Sequence, residues 1–294
     1  MESGDLKIFQ AVAREGNITR AAALLGYVQS NVTARIRQLE SELNTPLFYR
    51  QSRGVALTSA GSNLLKYADQ ITHLLEEAVK STQYSEEPSG PLRIGSLETT
   101  AAVHLPGIML DYHKQYPEVK LSLVTGHTSK MVESLLNYEL DASFISGPLE
   151  HPELEAICAF REELVLVSEP TDENLEQLLE RPFLFFGVGC AHRERLEQWL
   201  REEKVTPLNI MEFGTLEAII GGVAAGLGVS LLTRSSVREW EKAGKVQCFP
   251  IPEHYRRSSI YFAYRKNAFR TSAFNRFMEL IERRADEQIQ QVCS

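Results

Sequence analysis

Four arginines lie close together in a chain whose overall charge is negative. They are Arg20, Arg35, Arg37 and Arg50, within the stretch NITRAAALLGYVQSNVTARIRQLESELNTPLFYR, residues 17–50. The 294-residue chain has 31 lysines and arginines against 39 acidic residues, a formal net charge of −8. Guanidinium groups bind phosphates by charge and by hydrogen bonds, so we expect these arginines to face a polyanion such as a nucleic-acid duplex.

The basic side chains are concentrated at one end of the chain. Residues 1–58 hold seven basic and five acidic side chains, which leaves 24 basic against 34 acidic side chains in the remainder. An acidic body repels phosphates, so we expect a nucleic-acid contact at the N-terminal end alone. The alternative is a three-helix interaction domain whose arginines are simply solvated.

The spacing of apolar residues in this basic segment predicts three helices followed by two strands. Asn17 or Thr19 can cap the second helix and Gly26 can end it, while small Ala21 and Ala22 allow the close helix crossing of a helix-turn-helix. The strands are predicted in LFYRQSRGVALT, as a hairpin or wing around Arg53. The predicted buried faces are Leu6, Phe9, Val12 and Ala13 in the first helix, and Val32, Ile36, Leu39 and Leu43 in the third.

The third helix, predicted from about Ser30, has an outward face suited to a DNA groove. At about 100° per residue, Ser30, Ala34, Arg37 and Ser41 fall opposite the buried face, small and polar first and cationic further along. Small polar side chains at the start of such a helix fit the major groove. Arg50 and Arg53 on the wing are placed to reach phosphates or a narrow minor groove.

The segment from Phe9 to Gly61 resembles the N-terminal winged helix-turn-helix of LysR-type transcriptional regulators. The matching patterns are F..VA..GN.T.AA..L and QS.VT..I..LE..L...LF.R..R...LT.AG. The resemblance implies base or phosphate contacts from Gln29, Ser30, Thr33 and Arg53. The complete set of DNA-contacting residues that we expect is Thr19, Gln29, Ser30, Asn31, Thr33, Ala34, Arg37, Arg50 and Arg53.

Three positions depart from the family pattern. Val28 stands where serine is commoner, and Ala34 stands where a basic residue often reaches a base, so Arg37 is expected to take over part of that contact. Asn44 replaces the usual glycine, but asparagine tolerates the left-handed conformation that the turn requires.

A long helix is predicted after Thr58. Its apolar positions keep a 4-3-4-3 spacing, which is typical of a coiled-coil seam, although a helix packed on its own domain has the same signal. In the resembled family this helix pairs two DNA-binding domains, so we expect dimerisation through Leu64, Ala68, Ile71, Leu75 and Ala78. The polar, proline-containing SEEPSGP that follows is expected to be a hinge.

Alternating strands and helices after Pro91 predict an α/β domain with largely parallel sheets. The family carries here a two-lobed effector domain similar to a periplasmic binding protein, connected by two crossings. We therefore expect an N-terminal winged helix-turn-helix plus long linker helix, and a C-terminal two-lobed α/β domain. The expected bounds are 1–58 for the head, 59–84 for the linker helix, 85–91 for the hinge and 91–294 for the effector domain, with lobe one at 91–162 and 267–290 and lobe two at 163–266.

Strand-to-helix junctions are the candidate effector pocket, because ligands of such sheets bind there beside helix N-termini. The hydroxyl-bearing junctions weakly favour an anionic metabolite, whereas Glu98 leaves a cationic or neutral one open. The alternative is that these threonines only cap helices, which is the commoner role. The residues expected to bind the effector are Ser96, Thr99, Thr100, His127, Thr128, Cys190 and Thr215.

Other chemistries have weaker signals. GVGCAH lacks the last glycine of a dinucleotide fingerprint, no GxSxG is present, and the seven histidines show no metal-ligand spacing. Two alternatives stay open: an α/β ligand-binding enzyme, and a regulator that senses oxidation through Cys190. We predict a cytoplasmic regulator without a cofactor and without membrane attachment. Its expected partners are double-stranded DNA, further copies of itself in a homodimer or homotetramer, a small-molecule effector and RNA polymerase.

Overall fold

The computed structural model describes residues 1–51, 54–82, 87–187, 191–205 and 209–293. The chain divides into two compact units, Met1–Tyr84 with Asn137–Glu139, and Ser85–Leu136 with Leu140–Ser294. The elements of the first unit are α1 (Ser3–Glu15), α2 (Ile18–Leu25), α3 (Gln29–Glu42), β1 (Phe48–Gln51), β2 (Gly54–Leu57) and α4 (Ser59–Thr82).

The three short helices begin and end where local chemistry dictates. Asn17 caps α2, since its side-chain oxygen accepts hydrogen bonds from the backbone N–H groups of Thr19 and Arg20 at 2.9 and 3.1 Å. Gly26 ends α2 in the left-handed conformation, with φ of 70°. Asn44 adopts φ of 49° after α3, as its side chain allows.

The core of this head confirms most of the predicted buried faces. Leu43 is the exception: it lies just after α3, and 38% of its surface is exposed. Ala13 is only half-buried. The buried apolar residues of the head are Leu6, Ile8, Phe9, Ala11, Val12, Ala21, Ala22, Val32, Ile36, Leu39, Leu47, Phe48 and Ala68.

The predicted wing is present as an antiparallel hairpin, with Phe48 paired to Leu57 and Gln51 paired to Gly54. Its second strand meets the end of α1, where Val55 N–H donates to the carbonyl of Gly16 at 2.9 Å. A Cβ on Gly54, whose φ is 138°, would lie 2.3 Å from that same carbonyl oxygen, so only glycine fits there.

The second unit contains nine strands and nine helices in its described residues. The strands are β3 (Gly90–Ser96), β4 (Val119–Thr125), β5 (Ala142–Ser146), β6 (Leu154–Ser168), β7 (Phe183–Phe186), β8 (Ile210–Phe213), β9 (Ser230–Thr233), β10 (Gln247–Pro250) and β11 (Arg257–Arg265). The helices are α5 (Glu98–Val103), α6 (Leu105–Gln115), α7 (Thr128–Leu136), α8 (Leu175–Leu179), α9 (Ala191–Glu202), α10 (Leu216–Ala224), α11 (Arg234–Lys242), α12 (Glu253–Arg256) and α13 (Ser272–Cys293).

Two lobes are built on one long strand. Residues 154–163 of β6 pair with β11 in the sheet of lobe one, which continues through β5 and β3 to β4. Residues 164–168 of β6 pair with β9 and β10 in lobe two. In lobe two, β7 and β8 form a separate parallel pair. Each lobe has its own apolar core, with Phe144, Phe262 and Phe277 in the first and Phe183, Trp199 and Leu231 in the second.

Two sequence-based expectations about this domain are wrong. The sheets are mixed rather than largely parallel: β3–β4, β3–β5 and β7–β8 are parallel, whereas β6 pairs antiparallel with β9, β10 and β11, and β5 pairs antiparallel with β11. The strand β11 also belongs to lobe one, because Ile260–Tyr264 pair with Ala142–Ser146. The chain therefore returns to lobe one by residue 257, not after residue 266.

Candidate DNA-reading face and effector cavity

The outward face of α3 is open at its N-terminal end. Gln29, Ser30, Asn31 and Ala34 are exposed, and Thr33 is half-buried. The side-chain amide of Gln29 donates to the hydroxyl of Thr33 at 3.1 Å, and that hydroxyl donates to the backbone carbonyl of Gln29 at 2.9 Å. The two side chains are thus held together on the surface in the absence of a partner. Thr19 is also exposed, at the start of α2.

The four clustered arginines, all of which we expected to face a polyanion, have different surroundings. Arg35 lies 2.9 Å from the carboxylate of buried Asp5, and Arg20 donates to the carbonyl of Glu15. Arg37 and Arg50 are exposed, and the described residues offer neither of them a hydrogen bond or an ion pair. Their charges are therefore available to an outside partner. Arg53 lies outside the described residues.

Val28 is the most exposed large apolar side chain of the head, with 73% of its surface accessible. It occupies the cap position of α3 without making a capping hydrogen bond, directly before Gln29. This side chain therefore adds an apolar group to the otherwise polar surface at the start of α3. In the sequence, only its departure from the usual serine marked this residue.

The predicted seam on α4 divides into two parts. Leu64 packs against the core of the head, and Ala68 is fully buried in it. Ile71 and Leu75 are 37% and 44% exposed, and Ala78 is exposed as well. Exposed apolar residues that flank them on α4 are Tyr67, Leu74 and Val79. An apolar stripe of this kind on one helix is typical of a surface that pairs with another chain.

A cavity of about 270 Å³ lies between the two lobes of the second unit. Of the residues expected to bind an effector, Thr99, His127 and Thr128 line it. The residues that line the cavity are Leu97, Glu98, Thr99, Thr125, Gly126, His127, Thr128, Ser146, Phe186, Gly187, Ala191, His192 and Gly214.

Three other expected residues do not line this cavity. Ser96 is fully buried and donates its hydroxyl hydrogen to the carbonyl of Leu97, and Thr100 is buried. Thr215 caps α10, because its hydroxyl oxygen accepts from the N–H of Ala218 at 3.2 Å. Cys190 lies outside the described residues. Ser146, the last residue of β5, was not expected to line the cavity, because a serine inside a predicted strand is no signal of a site.

His192 was also missed, and it is the most unusual residue of the cavity wall. Only 6% of its surface is exposed, and burial lowers the pKa of its imidazole to about 4, with Arg195 lowering it further and Glu162 opposing the shift. The ring is therefore neutral near pH 7. No hydrogen bond to it is made by any residue that the structure describes.

A hydrogen-bonded chain crosses between the lobes near this cavity. Glu162, on the part of β6 that leaves lobe one, contacts the ring of His104 and accepts from the hydroxyl of Ser235 at 2.7 Å. His104 follows α5 in lobe one and stacks on Phe160 at 4.2 Å between ring centroids. Ser235 lies on α11 in lobe two. Glu162 therefore connects the end of α5 in lobe one to α11 in lobe two through direct side-chain contacts.

Neither a metal site nor a membrane span emerges from the described parts of the chain. Among these residues no three histidine, cysteine or acidic side chains are grouped so that they could hold a metal ion. No helix within the same ranges combines the length and the apolar character needed to cross a bilayer.

Comparison with family models identifies both units. Residues 3–62 match the model described as bacterial regulatory helix-turn-helix protein, lysR family. Residues 85–286 match the model described as LysR substrate binding domain. Together the two matches cover most of the chain.

Relatives of known name are similar over nearly the whole length. The HTH-type transcriptional regulator YofA of Bacillus velezensis is 53% identical over 278 residues, 95% of this chain and 96% of that protein. The HTH-type transcriptional regulator GltR of Bacillus subtilis is 47% identical over 276 residues, 93% of each chain.

Solved structures share the fold at lower identity. A full-length OxyR variant from Pseudomonas aeruginosa superimposes with a TM-score of 0.73 at 22% identity, covering 97% of this chain and 94% of that one. Full-length CbnR in complex with its target DNA superimposes with a TM-score of 0.69 at 23% identity, covering 97% of this chain and all of that one.

Proposed function

The chain belongs to the LysR family of transcriptional regulators, and from that premise we propose how its residues divide the work. Its N-terminal unit carries the DNA-binding helix-turn-helix, and its C-terminal unit is the effector-binding domain. We propose that residues 1–58 form the DNA-binding head, 59–84 the linker helix, 85–91 the hinge and 91–294 the effector domain, whose second lobe ends before β11.

The recognition helix in this proposal is α3. Gln29, Ser30 and Thr33 read base edges at its start. Arg37 lies one to two turns further along, and we assign it a phosphate contact instead of the base contact expected in place of Ala34. Exposure of this polar face, beside a buried stripe on the same helix, is the observation that carries the proposal. Thr19, Asn31, Ala34, Arg50 and Arg53 complete the proposed contact surface.

Two chains pair through α4 in our proposal, and Ile71, Leu75 and Ala78 form the contact. Leu64 and Ala68 support it from within the core of their own head. Pairing is physically reasonable because a single recognition helix buries little surface on DNA, whereas two linked heads bind as one unit. Further assembly into a tetramer and contact with RNA polymerase stay predictions of the family resemblance.

The effector in our proposal binds in the cavity between the lobes. It can alter DNA binding only if its affinity differs between two arrangements of the lobes. A ligand on Thr99 and Thr128 of lobe one and His192 of lobe two would favour the arrangement in which all three contact it. Cellular DNA is the partner, so we place the protein in the cytoplasm.

The two alternatives have no supporting observation. The relatives are named as transcriptional regulators, and we propose no enzymatic activity for this chain. Redox sensing by Cys190 stays a prediction of the sequence, and that residue lies outside the described ranges.

Selection of genomic fragments by the purified protein, read by mobility shift, tests this function. Gln29→Ala and Ser30→Ala should change the ranking of retained fragments, with about 1–3 kcal/mol lost at sites where a good base contact disappears. Ser41→Ala, on the exposed C-terminal part of the same helix, is the matched control and should leave the ranking intact. An identical ranking for wild type and for both variants would contradict the reading of bases by the start of α3.

A further inference from the structure

One part of the cavity wall carries a negative charge without an ion-pair partner among the described residues. Glu98 is half-buried in the first turn of α5, and among the described residues its carboxylate has no hydrogen bond and no ion pair. No lysine or arginine is present in the described wall of the cavity. Arg195 lines the adjoining groove instead, where its guanidinium donates to the backbone carbonyls of Tyr255 and Arg257.

Another part of the same wall presents hydrogen-bond donors. The Nδ1 atom of His127 accepts the N–H of Lys130 at 3.3 Å, which places the ring proton on Nε2. The hydroxyl oxygen of Thr128 accepts the N–H of Ser146 at 3.1 Å, so its own hydrogen is free to donate. Thr128 and Ala191 are the first residues of α7 and α9, whose N–H groups and dipoles favour a negative charge.

His192 is an independent sign that a ligand completes this wall. It is more than nine-tenths buried, faces the cavity, and has no hydrogen-bond partner among the described residues. A buried polar group without a partner is costly and is normally satisfied by protein, water or ligand. Since the ring is neutral, it adds a hydrogen-bonding group and leaves the charge of Glu98 uncompensated.

We propose that the effector is a small zwitterion of the α-amino acid type. Its ammonium group pairs with Glu98. Its carboxylate accepts hydrogen bonds from Thr128, His127 and the backbone N–H groups at the start of α7. A further polar group of the ligand forms a hydrogen bond with His192. The cavity volume of about 270 Å³ lies near the lower end for small-molecule pockets, so the side chain must be compact. This inference rests on the proposed function, because it names the chemistry of the same effector site.

Calorimetric titration of the full-length protein tests the class directly. The probes are the common α-amino acids, each beside its N-acetyl derivative, which has no ammonium group, and its primary amide, which has no carboxylate. At least one amino acid should bind, and both of its derivatives should bind about tenfold more weakly or worse, since each lacks one charge-assisted contact.

Variants assign the ammonium contact to a residue. Glu98→Gln should weaken binding of the amino acid about tenfold and leave its N-acetyl derivative unaffected, because only the ammonium partner is lost. Glu194→Gln is the control: it removes a carboxylate from the adjoining groove and should change the affinity neither for the amino acid nor for its N-acetyl derivative. Equal binding of the amino acid by wild type and Glu98→Gln would overturn the assignment.

The panel separates this inference from the proposed function. If no amino acid binds, or if N-acetyl derivatives bind as well as their parent amino acids, the proposal of a zwitterion is wrong. A simple carboxylate or amine that alters DNA binding would in that case still support the proposed effector site. If no small metabolite of any charge alters DNA binding, the effector cavity itself is contradicted. Comparison of amino acid and derivatives needs only the wild-type protein, so a variant that fails to fold does not remove the test.

Discussion

At the scale of single residues, arginines that are equivalent by sequence have different surroundings in the fold. Arg35 and Arg37 are two positions apart on α3, so they point in directions about 200° apart. Arg35 reaches buried Asp5 on α1, and Arg37 points away from the core. Helical periodicity predicted the exposure of Arg37, but the partner of Arg35 is 30 residues away in the sequence and no local pattern indicates it.

The two arginines therefore predict opposite phenotypes. Arg37→Ala should weaken binding to all DNA sequences and lower the slope of log affinity against log salt concentration by about 1, because one phosphate contact is lost. Arg35→Ala should lower the free energy of unfolding by about 1–3 kcal/mol, because Asp5 loses its partner. Anisotropy titrations at several salt concentrations and urea unfolding measure the two effects. An unchanged salt slope in Arg37→Ala would reject its phosphate contact.

The buried imidazole of His192 makes stability depend on pH. Its pKa is about 4 in the folded protein against 6.5 as the ordinary value, so the unfolded chain binds the proton more readily. The contribution to stability is complete above pH 6.5 and is lost as the pH falls toward 4. Wild type should lose about 2 kcal/mol between pH 7 and pH 5 from this residue alone, and His192→Gln should not.

Urea unfolding of both proteins at the two pH values gives the measurement. Other groups titrate in wild type and variant alike, so the difference between the two proteins isolates His192. A variant whose stability falls with pH as steeply as that of wild type would contradict the burial of a neutral ring.

At the scale of elements, hydrophobic periodicity predicted what local sequence can specify. The helices of the head, the wing and the long α4 are present, because their apolar faces and caps are encoded within a few residues. Strand β6 was predicted only over its last third, residues 164–168, because charged residues such as Glu155 and Arg161 interrupt the apolar pattern in the part before it. The direction of neighbouring strands depends on distant partners, so the antiparallel pairing of β6 with β11 was not predictable.

The exposed stripe of α4 leads to a prediction about assembly. Ile71→Asp combined with Leu75→Asp places two charges in the proposed contact and should convert the dimer to a monomer, with a sharp loss of DNA affinity. Both residues are exposed in the single chain, so the head itself should stay folded. Sedimentation measures the oligomeric state, and circular dichroism measures whether the variant is folded.

A conservative pair of changes provides the control. Ile71→Leu with Leu75→Met keeps the surface apolar and should preserve the dimer. A dimer that survives both aspartates and still binds its operator would exclude this stripe as the contact.

At the scale of the whole molecule, the cavity is assembled from residues that are far apart in the sequence. Thr99, Ser146 and His192 meet because the chain crosses twice between the lobes. The strand-to-helix junctions in the sequence predicted the wall residues near helix starts, namely Thr99, His127 and Thr128. The family resemblance predicted two lobes, but neither source specified which side chains face one another, since that depends on how the lobes pack.

Effector response is the property that belongs to this scale. Thr99→Val keeps the volume and removes one hydroxyl from the cavity, so it should weaken the response of DNA binding to the effector and leave binding without effector nearly unchanged. Thr215→Val is the control: it removes the cap of α10, should cost about 1 kcal/mol of stability, and should leave the response intact. Titrating DNA binding with the effector measures the response of wild type and of each variant. Equal midpoints for wild type and Thr99→Val would exclude a contact at Thr99.

Footprinting on the tightest-binding genomic fragment tests most directly the claim that paired heads read DNA. Wild type should protect two half-sites related by inverted symmetry, with centres one helical turn of about 34–36 Å, or a multiple of it, apart. Ser30→Ala should weaken both half-sites together, since each head contributes the same contact. Protection of one asymmetric site by a single chain, or equal protection of every fragment, would contradict the account.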